Sequence, residues 1–379
     1  MNEPYSEKND VLTGIKTTLT TIGLVANFAT LLALTLNNEE FPQNGRILLL
    51  HQTVVDTIVC LMGIGIYGQK FMWLTGNATF DLMLCQAWHG QALYWGTVFV
   101  SVWNKVLIAI ERFIVINKVN NRKKYRVITG KVVITIFATV YMLSFILMLP
   151  AYFWVKYEPT NNRPKCSDEK HYFEGKAFEN FMKFYGVLWF FIFYAIPIAC
   201  LIALYRKMSS ILRKEQQGLR ELIGSSNSMT ITLDKANRQI TRTAVAVTIA
   251  FVISLSWEAF YCCIMGFSDA ITYEFNKPLQ VVGVFLATLH SCSTPFIYAA
   301  TMPIFRRSLK KTFKCGKSAK PFISRLTVKY GNKDAKISSQ DDSNANNILN
   351  PLKFFETTSG TNKNVSDNKT LTGSSQLKN

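Results

Sequence analysis

Charged residues and histidines are scarce in this chain. Of its 379 residues, 17% are charged, four are His and eight are Cys, while 49% are apolar. This composition excludes an intrinsically disordered protein, and the cysteines are too sparse for a disulfide scaffold. The histidines form no paired motif and no Ser/His/Asp grouping, so we expect neither an enzyme nor a metal or cofactor site. The acidic, polar start lacks the positive region of a cleaved signal peptide, so the first apolar segment is expected to target the chain to a membrane.

Long apolar segments, by contrast, are abundant. A helix needs roughly 20 largely apolar residues to cross a bilayer. Seven segments qualify: 17–36, 47–67, 88–114, 132–155, 184–205, 243–266 and 279–302. We therefore predict an all-α fold, an integral-membrane bundle of seven transmembrane helices with a short C-terminal amphipathic helix.

The domain organisation follows from these segments. We expect an extracellular N-terminus over 1–16, the seven-helix domain over 17–302 and an amphipathic membrane-surface helix over 303–316. Residues 317–379 are poor in apolar residues and rich in Ser, Thr, Asn and Lys, which predicts a disordered tail.

The net charge of +18 is distributed unevenly among the loops. With the N-terminus outside, the inner loops and the first tail turns hold 20 Arg and Lys, and the outer segments hold ten. Because basic residues concentrate on the cytoplasmic side, we expect a multi-pass plasma-membrane protein with its N-terminus outside and its C-terminus in the cytoplasm. The tail from residue 303 has 15 basic and five acidic residues, a net +10. These charges are divided by the membrane and lack interleaved aromatics, so the expected partner is the lipid bilayer and not nucleic acid.

Short motifs stand at one relative depth in most of the spans. They are Gly23 and Asn27, then Asp56, then Glu111-Arg112-Phe113, then Pro197 with Tyr205, then Trp257, and last Thr294-Pro295-Phe296-Ile297-Tyr298 followed by Phe305-Arg306. With them the chain resembles the rhodopsin-like family of G protein-coupled receptors from residue 17 to about residue 315.

The chain also departs from the family pattern. The fourth span lacks its usual tryptophan, Ala259 stands where a proline follows the sixth-span tryptophan, and Thr294 replaces an asparagine. Cys85 precedes Arg112 by two residues more than the family spacing, an offset that a loop or a bulge could absorb. We therefore identify the chain as a divergent member, and the kink at Ala259 is in question because proline is the commonest cause of sharp kinks.

The resemblance implies a signalling switch. Its residues would be Glu111, Arg112, Tyr205, Trp257, Pro295 and Tyr298. In the active state Arg112 would turn toward the heterotrimeric G protein and the two tyrosines. Gln239 stands where an acidic lock partner is frequent, so a weaker resting lock and some basal signalling are expected. The alternative is that Glu111 and Arg112 form a plain interfacial ion pair.

A second polar set is expected inside the membrane. It comprises Asn27, Asp56, Ser101, Lys105, Ser291 and Thr294. The resemblance implies a sodium ion at Asp56, because an ionised side chain in mid-membrane needs a partner. Lys105 lies one helical turn after Ser101 on the same face. Our hypothesis is that Lys105 replaces the sodium ion; the alternative is that Lys105 reaches a helix end or the lipid headgroups.

Three covalent modifications are expected. The resemblance implies a disulfide between Cys85 and Cys166, which would hold the long outer loop over the ligand cavity. Asn77-Ala78-Thr79 is a glycosylation sequon in an outer loop. Cys315 follows the basic amphipathic stretch and suits palmitoylation, with an unmodified thiol as the alternative. Ser/Thr clusters in the tail suit receptor kinases and arrestin.

The outer halves of the spans are expected to bind an extracellular ligand. The candidate contacts are Gln91, Tyr94, Trp95, Phe190, Trp257, Phe260, Tyr261, Phe285 and Thr288. This set is aromatic and nearly uncharged. The position of the acid expected for amine receptors holds Tyr94 when counted from Arg112 and Ala92 when counted from Cys85, so neither count gives an acid. The lysine that binds retinal in opsins is replaced by Thr288. A peptide, a lipid or another non-amine small molecule remains, and the charged outer loop favours a peptide.

Other functions remain open alternatives. A transporter or channel predicts repeated halves, broken helices or a polar pore stripe, and the sequence has no such feature. A membrane enzyme would need catalytic groups that the four histidines do not provide. A seven-helix decoy or scaffold without G protein signalling is compatible with the altered sixth and seventh spans.

Overall fold

The computed structural model describes residues 10–37, 39, 41, 43–68, 75–120, 130–152, 155–158, 165–168, 176–223, 228–267 and 278–313. The helices in these ranges are α1 Asp10–Leu36, α2 Gln43–Gly68, α3 Ala78–Leu84, α4 Ala92–Asn120, α5 Gly130–Tyr152, α6 Lys176–Trp189, α7 Ile196–Ile223, α8 Ser228–Phe267, α9 Pro278–Thr301 and α10 Pro303–Phe313. Two π-helical turns follow α3 and α6, at Cys85–His89 and Phe190–Ala195.

The predicted seven-helix membrane bundle is confirmed. In the described ranges, six stretches are long and apolar enough to cross a membrane: in α1, α2, α5, α6–α7, α8 and α9. The remaining spanning helix is α4, which contains Lys105, Glu111 and Arg112. It packs against α2, α5 and α7, and most of the side chains that point into the bundle are buried. Because its neighbours shield it from lipid, α4 can carry polar side chains that a lipid-facing helix could not.

Several helices are longer than their apolar segments. The first begins at Asp10, seven residues before the predicted span, so Lys16 lies within a helix, where its ammonium is 5.3 Å from the Tyr67 ring centroid. At the end of the bundle that is expected to face the cytoplasm, called the inner end below, α7 runs to Ile223 and α8 starts at Ser228. These extensions hold Lys, Arg, Glu and Gln, which favour helix but lower the hydropathy.

An amphipathic helix follows the bundle within the described residues. It covers Pro303–Phe313 and buries Ile304 and Phe305. The Asn37 side chain at the end of α1 joins the two helices by donating to the Ser308 carbonyl at 3.2 Å and to the Thr312 hydroxyl at 2.8 Å. Cys315, the rest of the predicted 303–316 helix and the predicted tail 317–379 lie outside the described residues, as do residues 1–9.

A break in the third spanning helix absorbs the offset of Cys85. The π-helical turn Cys85–His89 is followed by Gly90 and then by Gln91, whose φ of 54° lies in the left-handed region. Such a φ is uncommon for a residue other than Gly. The π-helical turn and the break lie between Cys85 and α4, where a loop or a bulge could accommodate the two additional residues, and α4 then runs through Arg112 to Asn120.

The outer loop after α5 contains a β-hairpin that the sequence analysis did not predict. Strand β1 (Val155–Glu158) pairs antiparallel with strand β2 (Lys165–Asp168), with Cys166 opposite Tyr157. The expected disulfide between Cys85 and Cys166 is confirmed, with a Cα–Cα distance of 5.5 Å. It joins the hairpin to the outer end of the third span.

Candidate functional site

The inner end of α4 presents an ion pair to α2. The Glu111 side chain is buried, and its Oε2 lies 3.4 Å from the Nε of Arg112. Gly45 in the first turn of α2 faces this pair: a Cβ added there would lie 3.0 Å from Arg112 Nη2 and 3.5 Å from Glu111 Oε1. The pair therefore sits against helix α2 at a residue without a side chain.

Two tyrosines from other helices approach Arg112. Tyr205 of α7 and Tyr298 of α9 both lie within electrostatic reach of the guanidinium. Tyr205 packs against Ile116 and Met208, and the Tyr298 ring contacts Phe305 with 6.1 Å between centroids. The structure thus brings together four of the six predicted switch residues at the inner end. Pro295 is buried within α9, one turn before Tyr298.

Trp257 does not lie with the other predicted switch residues, and its assignment to the interior of the bundle is corrected. Its side chain is 41% exposed at the outer edge of the α8–α9 seam, and its indole N–H donates to the Leu279 carbonyl at 2.8 Å. The inward side chains of α8 are Phe251, Leu255, Glu258 and Ala259, all buried. Helical rotation places Trp257 to one side of that face, since each residue turns the helix by about 100°.

A buried polar layer surrounds Asp56, whose side chain is 0% exposed. The Ser101 hydroxyl donates to Asp56 Oδ1 at 2.7 Å, and the Gln52 amide donates to Asp56 Oδ2 at 3.0 Å and to Ser101 Oγ at 2.8 Å. Asn104 donates to Gln52 Oε1 at 2.8 Å. Gln52 and Asn104 were not among the predicted polar residues, although their spacing from Asp56 and Ser101 places them on the same helix faces.

Lys105 belongs to this layer. Its ammonium donates to Ser101 Oγ at 2.8 Å and lies 3.7 Å from Asp56 Oδ1. The side chain is 5% exposed. It points back toward Ser101 and away from the end of α4 that carries Arg112, which is opposite to the alternative of a lysine reaching the inner headgroups.

The other three predicted members make, within the described residues, no hydrogen bond to Asp56. The Asn27 amide donates to the Gly23 and Ser291 carbonyls at 3.1 and 3.2 Å, which ties α1 to α9. Ser291 is buried beside it, and the Thr294 hydroxyl donates to the His290 carbonyl at 3.4 Å. The described donors to Asp56 come from α2 and α4.

A second cluster lies in the outer half of the bundle. The Tyr94 hydroxyl donates to the Val284 carbonyl at 2.8 Å and lies 2.9 Å from Thr288 Oγ1. The Tyr67 hydroxyl donates to the same Thr288 oxygen at 2.9 Å. Above them, the buried Gln280 amide donates to Gln91 Oε1 at 2.5 Å. Gln91, Tyr94 and Thr288 were predicted; Tyr67 and Gln280 were not.

The aromatic contacts predicted for the ligand divide into two groups. Trp95 and Tyr261 are buried, and Trp95 packs edge-on against Tyr94 and Phe193. Phe260 is 50% exposed and packs on Phe190 and Tyr194 at the α6–α8 seam. The prediction that Phe260 lines the interior of the bundle is therefore corrected. Phe260 lies three residues after Trp257. Glu258 stands between these two residues in the sequence, and its side chain points into the bundle.

Glu258 changes the electrostatics of the outer half. Its carboxyl is 2% exposed and faces Gly283 of α9, where an added Cβ would overlap Glu258 Oε2. It also acts electrostatically on the Tyr94 hydroxyl. The predicted ligand contacts did not include this acidic side chain. The signal was present in the sequence: a carboxylate within an apolar span is rare unless it faces the interior.

The outer rim is organised by the carboxylate of Asp81 in α3. It accepts hydrogen bonds from Thr75 N at 2.8 Å, Thr75 Oγ1 at 2.9 Å and Gly76 N at 2.9 Å. Burial alone would raise the pKa of Asp81, but these bonds and one from Tyr157 of β1 outweigh burial and lower the pKa from its usual 3.8. The carboxylate stays charged and joins the loop before α3 to the hairpin.

Comparison with known proteins identifies the family. The model of the seven-transmembrane receptors of the rhodopsin family matches residues 26–298, most of the chain. The chain belongs to this family. The receptor is 23% identical to the green-sensitive opsin of Gallus gallus over 301 residues, 79% of each chain. It is also 23% identical to the rhodopsin of Petromyzon marinus over 319 residues, 83% of each, and to the blue-sensitive opsin of Anolis carolinensis over 296 residues, 78% of each. The resemblance proposed from the motifs is confirmed, and the low identities agree with a divergent rhodopsin-like G protein-coupled receptor.

Proposed function

We propose that this receptor binds an extracellular ligand and activates heterotrimeric G proteins through Arg112. The observation that supports the proposal is that the Arg112 guanidinium pairs with Glu111 and also acts electrostatically on Tyr205 and Tyr298. A plain interfacial ion pair needs neither tyrosine. We propose that the guanidinium exchanges its carboxylate partner for these phenols when α7 and α9 move.

Guanine-nucleotide exchange on co-expressed G proteins tests this proposal. We expect measurable basal exchange above that of membranes without the receptor, because Gln239 offers no acidic partner to a resting Arg112. Arg112→Gln removes the charge and should reduce exchange to background, whereas Glu111→Gln releases the guanidinium and should increase it.

The decoy or scaffold alternative makes the opposite prediction. If no class of G protein responds to well-expressed surface receptor, and Arg112→Gln and Glu111→Gln change nothing, the protein is a seven-helix scaffold and the signalling proposal is wrong.

The ligand that the outer half favours is a peptide. The hairpin is covalently anchored to the outer end of the third span, and the interior provides paired amides at Gln91 and Gln280. The Glu258 carboxylate would suit a basic side chain of such a peptide, because opposite charges in a desolvated site strengthen specificity. Lipids and other small molecules are the competing classes.

Separate peptide, lipid and small-molecule pools, applied to cells that carry the receptor, distinguish these classes. We expect the active peptides to contain Lys or Arg, and Glu258→Gln to weaken them at equal surface expression. Activity confined to a lipid pool or to a small-amine pool would contradict the peptide proposal.

A light receptor is the second candidate, because the relatives named above are opsins. The residue at the retinal-binding position is Thr288, and its hydroxyl donates to the Val284 carbonyl at 2.8 Å. Helix α9 contains no lysine. We therefore expect purified receptor incubated with retinal to show no stable visible absorbance band. A band that survives removal of free retinal would establish light sensing instead.

We propose the plasma membrane, with the N-terminus outside, as the location of the receptor. The amphipathic α10, with Arg306, Arg307, Lys310 and Lys311 on its polar face, would lie against anionic inner-leaflet lipids. Palmitoylation of Cys315 would add a second anchor. Receptor kinases and arrestin remain proposed partners of the Ser/Thr-rich tail.

A further inference from the structure

The carboxylate of Asp56 is the buried anion of the inner polar layer. It is fully buried between α2 and α4, and a buried ionised group needs a partner of opposite charge as well as hydrogen bonds. Two sources can provide that charge: a small cation from solution, or a side chain of the receptor. The family resemblance implies the first source, in the form of sodium.

The groups around Asp56 do not fit a sodium ion. A hard cation needs oxygen atoms with free lone pairs, whereas Asp56 Oδ2 faces the N–H donor of Gln52 at 3.0 Å. Asp56 Oδ1 faces the Ser101 hydroxyl at 2.7 Å and the Lys105 ammonium at 3.7 Å. Three of the roughly four lone-pair sites of the carboxylate thus face donors of the receptor itself.

Ser101 has no lone pair left for a metal ion. A hydroxyl donates once and accepts twice. Ser101 donates to Asp56 and accepts from Gln52 and from Lys105, both at 2.8 Å. Its full capacity is used inside the protein.

We propose that the Lys105 ammonium is the permanent counter-ion of Asp56, so that the core of this receptor takes no sodium from solution. Because Lys105 is attached to α4, the positive charge cannot dissociate when the receptor changes state. The interior of the bundle is therefore expected to be insensitive to the sodium concentration. This inference concerns the buried ion pair alone and depends on neither the ligand nor G protein coupling.

The thermal stability of purified full-length receptor tests the proposal. The melting temperature is measured in sodium chloride and in N-methyl-D-glucamine chloride of equal ionic strength, so that only the cation size differs. We expect wild type to differ by less than about 1 °C between the two salts, and Lys105→Met to gain about 3 °C or more in sodium, because removal of the ammonium exposes Asp56 to the ion.

Two matched variants define the source of any sodium effect. Lys105→Arg keeps the positive charge and should remain insensitive, while the double variant Asp56→Asn/Lys105→Met removes both charges and should lose the sodium response. A sodium response in wild type that Asp56→Asn abolishes would overturn the proposal, as would a Lys105→Met variant that folds and does not respond.

Binding of radioactive sodium to wild type provides a second measurement that does not depend on a Lys105 variant. The proposal expects no saturable binding that Asp56 could account for. Saturable binding of one ion per receptor, lost in Asp56→Asn, would show that sodium and Lys105 share the site and would overturn the assignment.

Discussion

Gly45 is the residue that allows α2 to pack against Arg112. A Cβ there would lie 3.0 Å from Arg112 Nη2, closer than side chains normally approach. Gly45→Val should push the guanidinium away from Glu111 and raise basal nucleotide exchange by up to about five-fold, the range expected for loss of a partly exposed ion pair. The measurement is exchange on co-expressed G protein.

Gly14→Val provides the matched control for that substitution. Gly14 also lies in a helix, but it has no neighbouring atom within 4 Å of the added Cβ. It should leave exchange unchanged. If Gly45→Val and Gly14→Val behave alike, Arg112 is not held by its contact with α2.

Gly23 plays a corresponding role in the middle of the bundle. A Cβ at Gly23 would overlap the Sγ of Cys292 in α9, and Cys292 is packed between Gly23 and Cys60, with 3.6 Å between the two sulfur atoms. Gly23→Ala should cost about 1–3 kcal/mol of stability through overpacking.

A rescue variant checks this explanation of Gly23. Cys292→Ala removes the sulfur atom, so Gly23→Ala/Cys292→Ala should recover part of the loss in melting temperature. A double variant that is no more stable than Gly23→Ala would show that the cost arises from another contact of α1.

At the scale of elements, Asp81 holds the outer hairpin and the loop before α3 together. Hydrogen bonds lower its pKa below the usual 3.8, so its charge contributes stability above pH 3.8 that is lost as the pH falls through the lower, folded pKa. Asp81→Asn should lower the melting temperature at neutral pH. The difference from wild type should stay constant between pH 7 and about pH 5 and shrink below about pH 4.

The measurement for Asp81 is the melting temperature of both proteins across that pH range. A difference that persists unchanged in acid would mean that Asp81→Asn destabilises the rim through the shape of the amide and not through the missing charge, and the electrostatic explanation would be wrong.

Irregular turns before α4 and α7 affect which faces of these two helices point into the bundle. The π-helical turn Cys85–His89 and the left-handed Gln91 reset the helical phase before α4 begins. A second π-helical turn, Phe190–Ala195, precedes α7. A π-helical turn accommodates one additional residue per turn, so it rotates every side chain before it relative to those after it. This is why residues counted from Cys85 and from Arg112 predicted different contacts for the ligand.

At the scale of the whole molecule, the orientation in the membrane can be tested with the chain's own sequons. Asn77-Ala78-Thr79 lies at the start of α3, and Asn364-Val365-Ser366 and Asn368-Lys369-Thr370 lie in the tail. With the N-terminus outside, only Asn77 should carry a glycan. Thr79→Ala removes that sequon but retains the Asn77 side chain, which caps α3 by accepting from Thr79 N and Phe80 N.

Glycosidase treatment followed by electrophoresis measures this outcome. Wild type should shift in mobility and Thr79→Ala should not. A shift that survives Thr79→Ala and disappears when Asn364 and Asn368 are replaced by Gln would show the reverse orientation.

Much of the architecture could be predicted from hydropathy and motif spacing. The seven spans followed from the hydropathy of single segments, whereas the disulfide and the grouping of Arg112 with Tyr205 and Tyr298 followed from the family resemblance that the motifs carry. Trp257 and Phe260 were assigned to the wrong face of α8 and Glu258 was missed, because a motif gives the depth of a residue but not the rotation of its helix. The hairpin was missed because two four-residue strands produce little signal within a polar loop.

The sequence by itself determined that this protein crosses the membrane seven times and belongs among the rhodopsin-like receptors. That follows because a bilayer requires each spanning segment to satisfy its own backbone hydrogen bonds over a set length, which is a local property of the chain. The packing of the helices decided the remaining features: the ammonium of Lys105 beside Asp56, the inward carboxylate of Glu258 and the outward indole of Trp257. These depend on the rotation and spacing of neighbouring helices, which small residues such as Gly45 and Gly283 and the two π-helical turns determine only once the bundle has assembled.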